Sequence, residues 1–421
     1  VSLGRVAIVG SGIAGMSAAY FLRDHAAITV FEKEPRIGGH THTVDIDGKS
    51  FDTGFMVYNE VTYPHLTRLF SQLGVRTQPT DMSFSVQVLS KNLEYSGSSL
   101  NHLFSQRRNL FRPSFWKFLS RIHRFNETAF SLISDSSSAA MTLREFVLEN
   151  DFGEDFLEDF LVPMSSAVWS TPRDRMMDFP AQTLVRFFHN HGFLGLHTQH
   201  PWRTVCGGSR SYRDLLIQSF RDCIRTGDPV RSVRGVGAGV EAITHSGKAE
   251  IFDRVIFACH ADEALALIQE PTELERSLLS CFEYQANPTV VHTDESVMPK
   301  RKLAWSSWNY RVEASGRAST HYWMNRLQNL SGSTQFFVSL NDPDQIDPAH
   351  VKMRLNYFHP IFSRQAVAAQ QKLPSLNAQG ETTRRFFCGS YFKYGFHEDA
   401  LAASVGLCTQ LLKRAPSGMM V

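Results

Sequence analysis

Cysteine is scarce in this 421-residue chain: there are six, none in a C-x-x-C pair and none at metal spacing from a histidine. That argues against a disulfide framework and against a metal centre. It leaves reduced, mostly buried thiols, as expected of a cytoplasmic protein. Long apolar runs are missing too. No stretch reaches the roughly 18 apolar residues of a membrane span, and because the first residues read straight into a strand no signal peptide is expected. Charge of one sign is not in surplus either. The net charge is +2, which makes no case for a nucleic-acid partner. No G-x-S-x-G or comparable triad signature is present, which argues against hydrolase chemistry. Internal repeats are absent, and the one low-complexity patch, Ser134 to Ala140, reads as a solvated loop. Phenylalanine, by contrast, is abundant. Its 32 copies, with six Trp and eleven Tyr, point to a large aromatic core or an aromatic-lined cavity.

The length suggests two packed domains. Arg5 to Val9 (RVAIV) and Ile28 to Phe31 (ITVF) read as buried parallel strands around a helical segment, Ala14 to Arg23. A hairpin is expected over Met82 to Tyr95, and mainly helix from Pro64 to about Gln199. The glycines of Gly235 to Gly239 read as a hairpin turn, since no helical pattern follows them. Arg254 to Cys259 and Arg385 to Cys388 read as further buried strands. The pieces resembling a nucleotide domain therefore fall at 1–75, 200–275 and 376–421. A substrate domain is expected at 76–199 and 276–375. The class is α/β.

Gly10-Ser11-Gly12-Ile13-Ala14-Gly15 is a G-x-G-x-x-G between a strand and a helix. Gly10 permits the tight turn, Gly12 lets backbone approach a pyrophosphate, and Gly15 lets helix and strand pack closely. The helix N-terminus then offers N–H groups to the phosphates. Glu32 ends the second strand, 22 residues after Gly10. Its carboxylate is placed to accept from the adenosine ribose hydroxyls, and it disfavours a 2′-phosphate.

The stretch that follows, Glu32-Lys33-Glu34-Pro35-Arg36-Ile37-Gly38-Gly39-His40-Thr41, resembles the E-x(5)-G-G signature of the flavin amine oxidase superfamily. Phe387-Cys388-Gly389-Ser390-Tyr391 with Gly395-Phe396-His397-Glu398-Asp399-Ala400 resembles that family's last FAD motif. The resemblance implies a two-domain, FAD-binding Rossmann-like fold with an inserted substrate domain. It adds Lys33, Gly38, Gly39, His40, Thr41, Gly54, Phe55, Val230, Gly389, Ser390, Phe396, His397 and Glu398 to the cofactor site. The family usually carries Arg after the paired glycines, where this chain has His40. No Cys or His sits in a flavinylation motif, so the FAD is expected to be non-covalent. No second dinucleotide motif is visible, which leaves dioxygen or an electron carrier to reoxidise it.

A narrower resemblance rests on Gly38-Gly39-His40-Thr41-His42-Thr43, Asp52-Thr53-Gly54-Phe55-Met56-Val57-Tyr58-Asn59-Glu60, Trp305-Ser306-Ser307-Trp308-Asn309-Tyr310 and Tyr394 to Asp399. These segments look like the predicted NAD/FAD-binding proteins associated with cyclopropane fatty acid synthases. The implied activity is oxidation or desaturation of an unsaturated or methyl-branched acyl or lipid substrate, by hydride transfer to flavin. Two alternatives stand beside it: amine oxidation, and a non-catalytic role as lipid-binding partner of a lipid methyltransferase. Amine oxidases of the family carry a Lys on a strand whose counterpart here, Tyr284 to Val291, has none.

His40, His42, Tyr58 and Tyr391 are the candidate catalytic groups. Met56, Trp305, Trp308, Tyr310 and Phe396 are candidate walls of an apolar substrate pocket. The bland alternatives are hydrogen bonding to loop backbone or cofactor for the histidines, and core packing for the aromatics. His189 and His191 lack acidic or Cys partners and read as ordinary helix-end histidines. From 107 to 125 the chain is basic and aromatic, with Phe115, Phe118, Leu119, Ile122 and Phe125 on one helical face. Two readings fit that face: peripheral contact with a membrane, or burial in the substrate domain under a solvated basic surface.

Overall fold

A computed structural model describes residues 2–134, 141–195, 199–341 and 344–419. Most of the serine-rich patch, 135–140, lies outside the described residues. The first strand, Arg5–Val9, is buried at all but its first residue. It lies at the centre of a parallel sheet whose order is Ile224–Thr226, Ala27–Glu32, Arg5–Val9, Arg254–Phe257, Arg385–Phe387. Ile8 faces Val30 on one side and Ile256 on the other, and Ile256 faces Phe386. The chain winds outward from the central strand in one direction, then returns to build in the other. That reversal opens a crevice at the carboxyl ends of Arg5–Val9 and Arg254–Phe257, where such sheets bind ligands. Helix Ile13–Leu22 has no polar stripe because both its sides are covered. The sheet lies on one side and helix His397–Leu412 on the other, with Ala18 and Ala19 fully buried.

The glycine cluster forms a hairpin turn. Val230–Val236 pairs antiparallel with Gly239–Thr244, and Gly237 takes φ +56°. The expected hairpin over Met82 to Tyr95 appears as Phe84–Val88 paired with Leu93–Ser96.

Those two strands edge a seven-stranded sheet that continues through Trp308–Val312, Ala318–Trp323, Phe337–Leu340, Glu283–His292 and Val351–Ile361. All its neighbours are antiparallel except Trp308–Val312 with Phe84–Val88. The period of two divides its side chains between two faces. Val291, Val338, Leu340 and Tyr322 pack with Val44, Phe51 and Met56 of the dinucleotide half. Val290, Phe337 and Trp305 pack on the opposite face. Register places Tyr357 opposite Asn287 and Leu355 opposite Thr289, which carries the inward face to the crevice.

Helices Pro113–Ser134, Leu143–Glu149, Val162–Trp169 and Ala181–Asn190 make an aromatic-rich layer. Phe115, Phe118 and Phe125 are buried, and Leu119 and Ile122 pack beside them. The side chains of Phe115, Phe118, Leu119, Ile122 and Phe125 are thus core. Among the described residues no helix is long and apolar enough to cross a membrane.

Candidate functional site

The first turn of helix Ile13–Leu22 has neither a side-chain cap nor an acidic residue, so its N–H groups stay available. A Cβ on Gly12 would have no heavy atom within 4 Å, whereas one on Gly39 would stand 3.2 Å from the Gly12 Cα. The two glycine turns thus approach each other and leave open space in front of Gly12. Ser11 ties them together. Its N–H and Oγ donate to Glu32 Oε2 at 2.9 and 2.6 Å, and its Oγ accepts from the Gly38 N–H at 3.1 Å. The Glu34 N–H donates to the other Glu32 oxygen at 2.9 Å, which aims the carboxylate. Arg36 donates to the Gly39 carbonyl at 2.7 Å and Arg213 to that of Ile37. A cation therefore does stand beside the paired glycines, though His40 replaces the usual Arg.

Beyond Gly39 the site becomes a cluster of uncharged polar rings. His40 lies 5.0 Å from the Tyr357 ring and 5.3 Å from that of His359. His42 Nδ1 hydrogen-bonds the Tyr357 hydroxyl at 2.8 Å, and that hydroxyl also meets Thr53 Oγ1 at 2.6 Å. The Asn287 amide reaches His359 Nδ1 at 3.1 Å. Beneath the loop, the Tyr212 hydroxyl joins Thr41 Oγ1 to His397 Nε2. Phe55 stacks on His397 at 4.0 Å, and its N–H donates to the His40 carbonyl. Burial disfavours the imidazolium throughout. It pushes His397 down to about 3 and His359 and His42 to about 4. His40 is driven well below its usual value, burial acting first and the neighbouring imidazoles and Arg36 adding to it. His40 Nε2 is buried with no hydrogen-bond partner among the described residues. An unpaired buried nitrogen is costly, so its orientation fits a hydrogen bond to a bound group.

Residues 13–346 match the family described as flavin containing amine oxidoreductase. The chain belongs to that family. Among curated relatives, prenylcysteine oxidase 1 of Mus musculus is 27% identical over 198 residues, covering 40% of this chain and 39% of that enzyme. The match thus spans about two fifths of the relative's length. Among solved structures, a redesigned putrescine oxidase superposes with a TM-score of 0.71 at 14% identity, covering 98% of this chain and all of that one. A conjugated-linoleic-acid-producing fatty acid isomerase from P. acnes gives 0.70 at 14% identity, covering 97% and 99%. Both likenesses are of fold.

For a member of this flavin family, the open cradle at Gly12, the aimed Glu32 and the orphaned His40 Nε2 suit an adenine dinucleotide whose flavin end lies beyond Gly39. Val230 packs in the same cluster as Val9 and Phe31, at the ends of the first two strands. Phe396 precedes helix His397–Leu412 and stacks on Phe187 at 5.0 Å, near Trp169. Gly389 begins the turn Ser390–Phe392, which leads toward that helix.

Several expected site residues are used elsewhere. Tyr58 is a core side chain: it packs edge-on to Tyr63 and Phe70, and its hydroxyl reaches Thr77. Tyr391 is buried against Phe282, and burial raises its phenol far above the usual range. Neither phenol touches the histidine cluster. Trp305 lies on the far face of the sheet, donating to the Pro299 carbonyl at 2.7 Å. Met56 and Trp308 share the inward cluster under Tyr322. Tyr310, also on the inward face, borders a separate cavity of about 420 Å³ that includes Lys91, Glu158 and Arg173. Lys33 pairs with Glu263 at 2.5 Å. His191 is a core histidine, bonded to the Phe187 carbonyl and stacked on its ring.

Glu398 was expected to contact the cofactor. Instead its two oxygens accept from the His65 and Leu66 N–H groups, each at 2.9 Å, and cap helix Pro64–Leu73. Burial raises the Glu398 carboxyl to about 7 against the lowering pull of those N–H groups, and raises neighbouring Asp399 to about 6. The site therefore has a definite response to acid. Between the unfolded histidine value near 6.5 and the folded values near 4, the unfolded chain takes up protons that the folded one refuses. Stability falls as pH drops through that window. Glu398 and Asp399 act oppositely, because their folded forms bind protons more readily than their unfolded ones. The histidines outnumber them, so the thermal midpoint should fall from pH 6.5 to 4.5. Glu398→Gln removes one opposing group and should steepen that fall while leaving flavin content unchanged. Flavin loss in Glu398→Gln would show that the carboxylate serves the cofactor after all.

Proposed function

We propose that the protein is an FAD-dependent oxidoreductase that holds FAD non-covalently and oxidises a hydrophobic, acyl-chain-bearing substrate. Gly10 to Gly15, Glu32, Gly38 and Gly39 would hold the dinucleotide. Bound FAD supplies a two-electron acceptor. The observation that carries the substrate class is the make-up of the crevice beyond Gly39. Its side chains are imidazoles kept neutral by burial, a phenol and an amide. None is a carboxylate that would draw in a cationic amine. The strand Glu283–His292 brings Asn287 to the site and no lysine.

What this chain would do follows from those groups. Neutral His40 and His359 offer hydrogen bonds without placing a full charge beside an apolar substrate. The chain His42, Tyr357, Thr53 can shift a proton between imidazole and hydroxyls. Phe396, packed on Phe187 and Trp169, is the candidate wall that would keep water from the substrate. The acyl reading is supported by the resemblance of several segments to the synthase-associated flavoproteins, and by a fold shared with a fatty acid isomerase. The partner expected with it is a lipid methyltransferase.

Anaerobic mixing of holoprotein with unsaturated fatty acids or phospholipids, and in parallel with alkyl amines, decides the substrate class. Bleaching of the yellow flavin by acyl lipids alone is the expected result. Bleaching by amines alone would replace the reading with amine oxidation, and bleaching by neither would favour the non-catalytic role. Denaturation should release the flavin, and it should chromatograph as FAD.

A further inference from the structure

The corner between helices Leu100–Leu103 and Pro113–Ser134 presents large apolar side chains to solvent. Phe111 is 86% exposed, Leu100 73%, Trp116 50% and Leu110 42%. These are four of the ten exposed large hydrophobics among the described residues, and they fall within 17 consecutive positions. Scattered exposed apolar residues need no explanation, whereas a cluster does. The corner is firmly built. Trp116 Nε1 donates to the Leu110 carbonyl at 3.0 Å, and its ring lies 5.2 Å from buried Phe104. Phe104 in turn packs with Phe115 and Phe118.

The same corner is basic. Arg107, Arg108, Arg112 and Lys117 are all exposed, and no Asp or Glu occurs from 95 to 126. Arg107 and Arg108 rest on backbone carbonyls, so their charge is not cancelled. Arg112 and Lys117 form no ion pair among the described residues. Further along the helix, by contrast, Arg121 is paired with Asp155. Exposed aromatic and aliphatic tips ringed by unneutralised cations match the chemistry of an anionic bilayer surface: phosphates outside, acyl chains beneath.

We propose that this corner is where the protein docks on an anionic lipid bilayer. Phe111, Leu110 and Trp116 enter the boundary between headgroups and acyl chains, and Arg108, Arg112 and Lys117 meet lipid phosphates. Docking would also bring a cavity toward the membrane. Gln106 and Arg108 both hydrogen-bond the Asn92 carbonyl, and the adjacent Lys91 lines the cavity of about 420 Å³ that Tyr310 borders. The contact stands apart from the redox reading, since it is measured without turnover.

The test is co-sedimentation of holoprotein with vesicles of phosphatidylcholine, with and without phosphatidylglycerol. Wild type should prefer the anionic vesicles, with binding that weakens as salt rises. Arg112→Gln with Lys117→Gln should weaken binding by roughly tenfold or more, at roughly fivefold per cation. Phe111→Ser with Trp116→Ser should abolish the binding that survives high salt. Ile251→Ser, at an exposed apolar position on the dinucleotide half, should bind as wild type. All variants should keep their flavin absorbance, and the Arg112, Lys117 and Ile251 variants their thermal midpoint. Wild type should also show a blue shift of tryptophan emission on anionic vesicles that Trp116→Phe lacks. Wild type that ignores vesicles, that binds neutral and anionic ones alike, or whose Phe111 and Trp116 variant sediments unchanged would overturn the proposal.

Discussion

Gly12→Val is expected to yield a folded protein that carries no flavin. Gly12 has φ −63° and ψ 178°, a conformation open to any residue. A Cβ there would meet no atom of the chain within 4 Å. The protein itself can therefore accept the side chain. What the side chain takes is the space in front of the helix N-terminus, where a pyrophosphate would lie. Flavin per chain should fall at least tenfold, while soluble yield and the apoprotein's thermal midpoint stay at wild-type values. Gly15→Ala should behave in the opposite way. Its Cβ would lie 1.9 Å from the Gly10 carbonyl oxygen, an overlap with backbone that no rotamer relieves. The helix must move off its strand, at a cost above the about 1–3 kcal/mol of ordinary overpacking. Soluble yield should collapse whether or not flavin is supplied. The pair is decided by absorbance ratio and thermal melting. Full flavin loading by Gly12→Val would place the cofactor elsewhere.

Asp52→Ala should be the most damaging change away from the cradle. Asp52 is buried and accepts from the Ser209 N–H, Ser209 Oγ, Thr43 Oγ1 and Gln328 Nε2, at 2.6 to 2.9 Å. Its own N–H donates to Gln328 Oε1 at 2.7 Å. One carboxylate thus joins the hairpin Thr43–Asp52, the start of helix Arg210–Ile217 and the seven-stranded sheet's domain. It also directly precedes Thr53, which holds Tyr357. Alanine would leave several buried donors unpaired, each costing about 1–3 kcal/mol, for a total on the order of 3–5 kcal/mol. At about 2–4 °C per kcal/mol, the thermal midpoint should drop by roughly 6–20 °C. Asp52→Asn keeps one acceptor oxygen and should lose less. A midpoint within about 2 °C of wild type for Asp52→Ala would mean the network contributes little to joining the two halves.

Much of the dinucleotide half is local in sequence, and so could be read there. Strand, glycine turn and helix follow one another within about two dozen residues. Gly10, Gly12, Gly15 and Glu32 act through spacing along one βαβ unit, and handedness leaves that unit little choice of arrangement. The Gly235 to Gly239 turn and the hairpin near Met82 were legible for the same reason: neighbours in sequence paired with each other. The paired glycines at Gly38 and Gly39 were recognised by resemblance. What they touch, Gly12 and Arg36, emerged only from the fold.

The ring cluster beyond Gly39 was a tertiary decision. His42 and Tyr357 hydrogen-bond across 315 positions, and Asn287 meets His359 across 72. Periodicity tells which face of a strand is apolar, but not which loop that face will meet. Tyr357, His359, Asn287 and Tyr212 therefore carried no signal, although each is an ordinary polar residue in a strand or helix pattern. The errors have the same origin. Tyr58, Tyr391 and Trp305 stand beside other candidate residues, yet each packs into the core, Tyr58 from a two-residue strand, Tyr391 from the turn Ser390–Phe392 and Trp305 from the end of the turn Lys302–Ala304. Glu398 directly follows His397, and the helix turn of about 100° per residue sends it to cap Pro64–Leu73 instead. The chain's motifs by themselves marked the βαβ unit and its glycine turn, and so the expectation of a bound dinucleotide. Packing alone decided which side chains gather beyond Gly39, because burial and register are properties of the assembled sheets and not of any one segment.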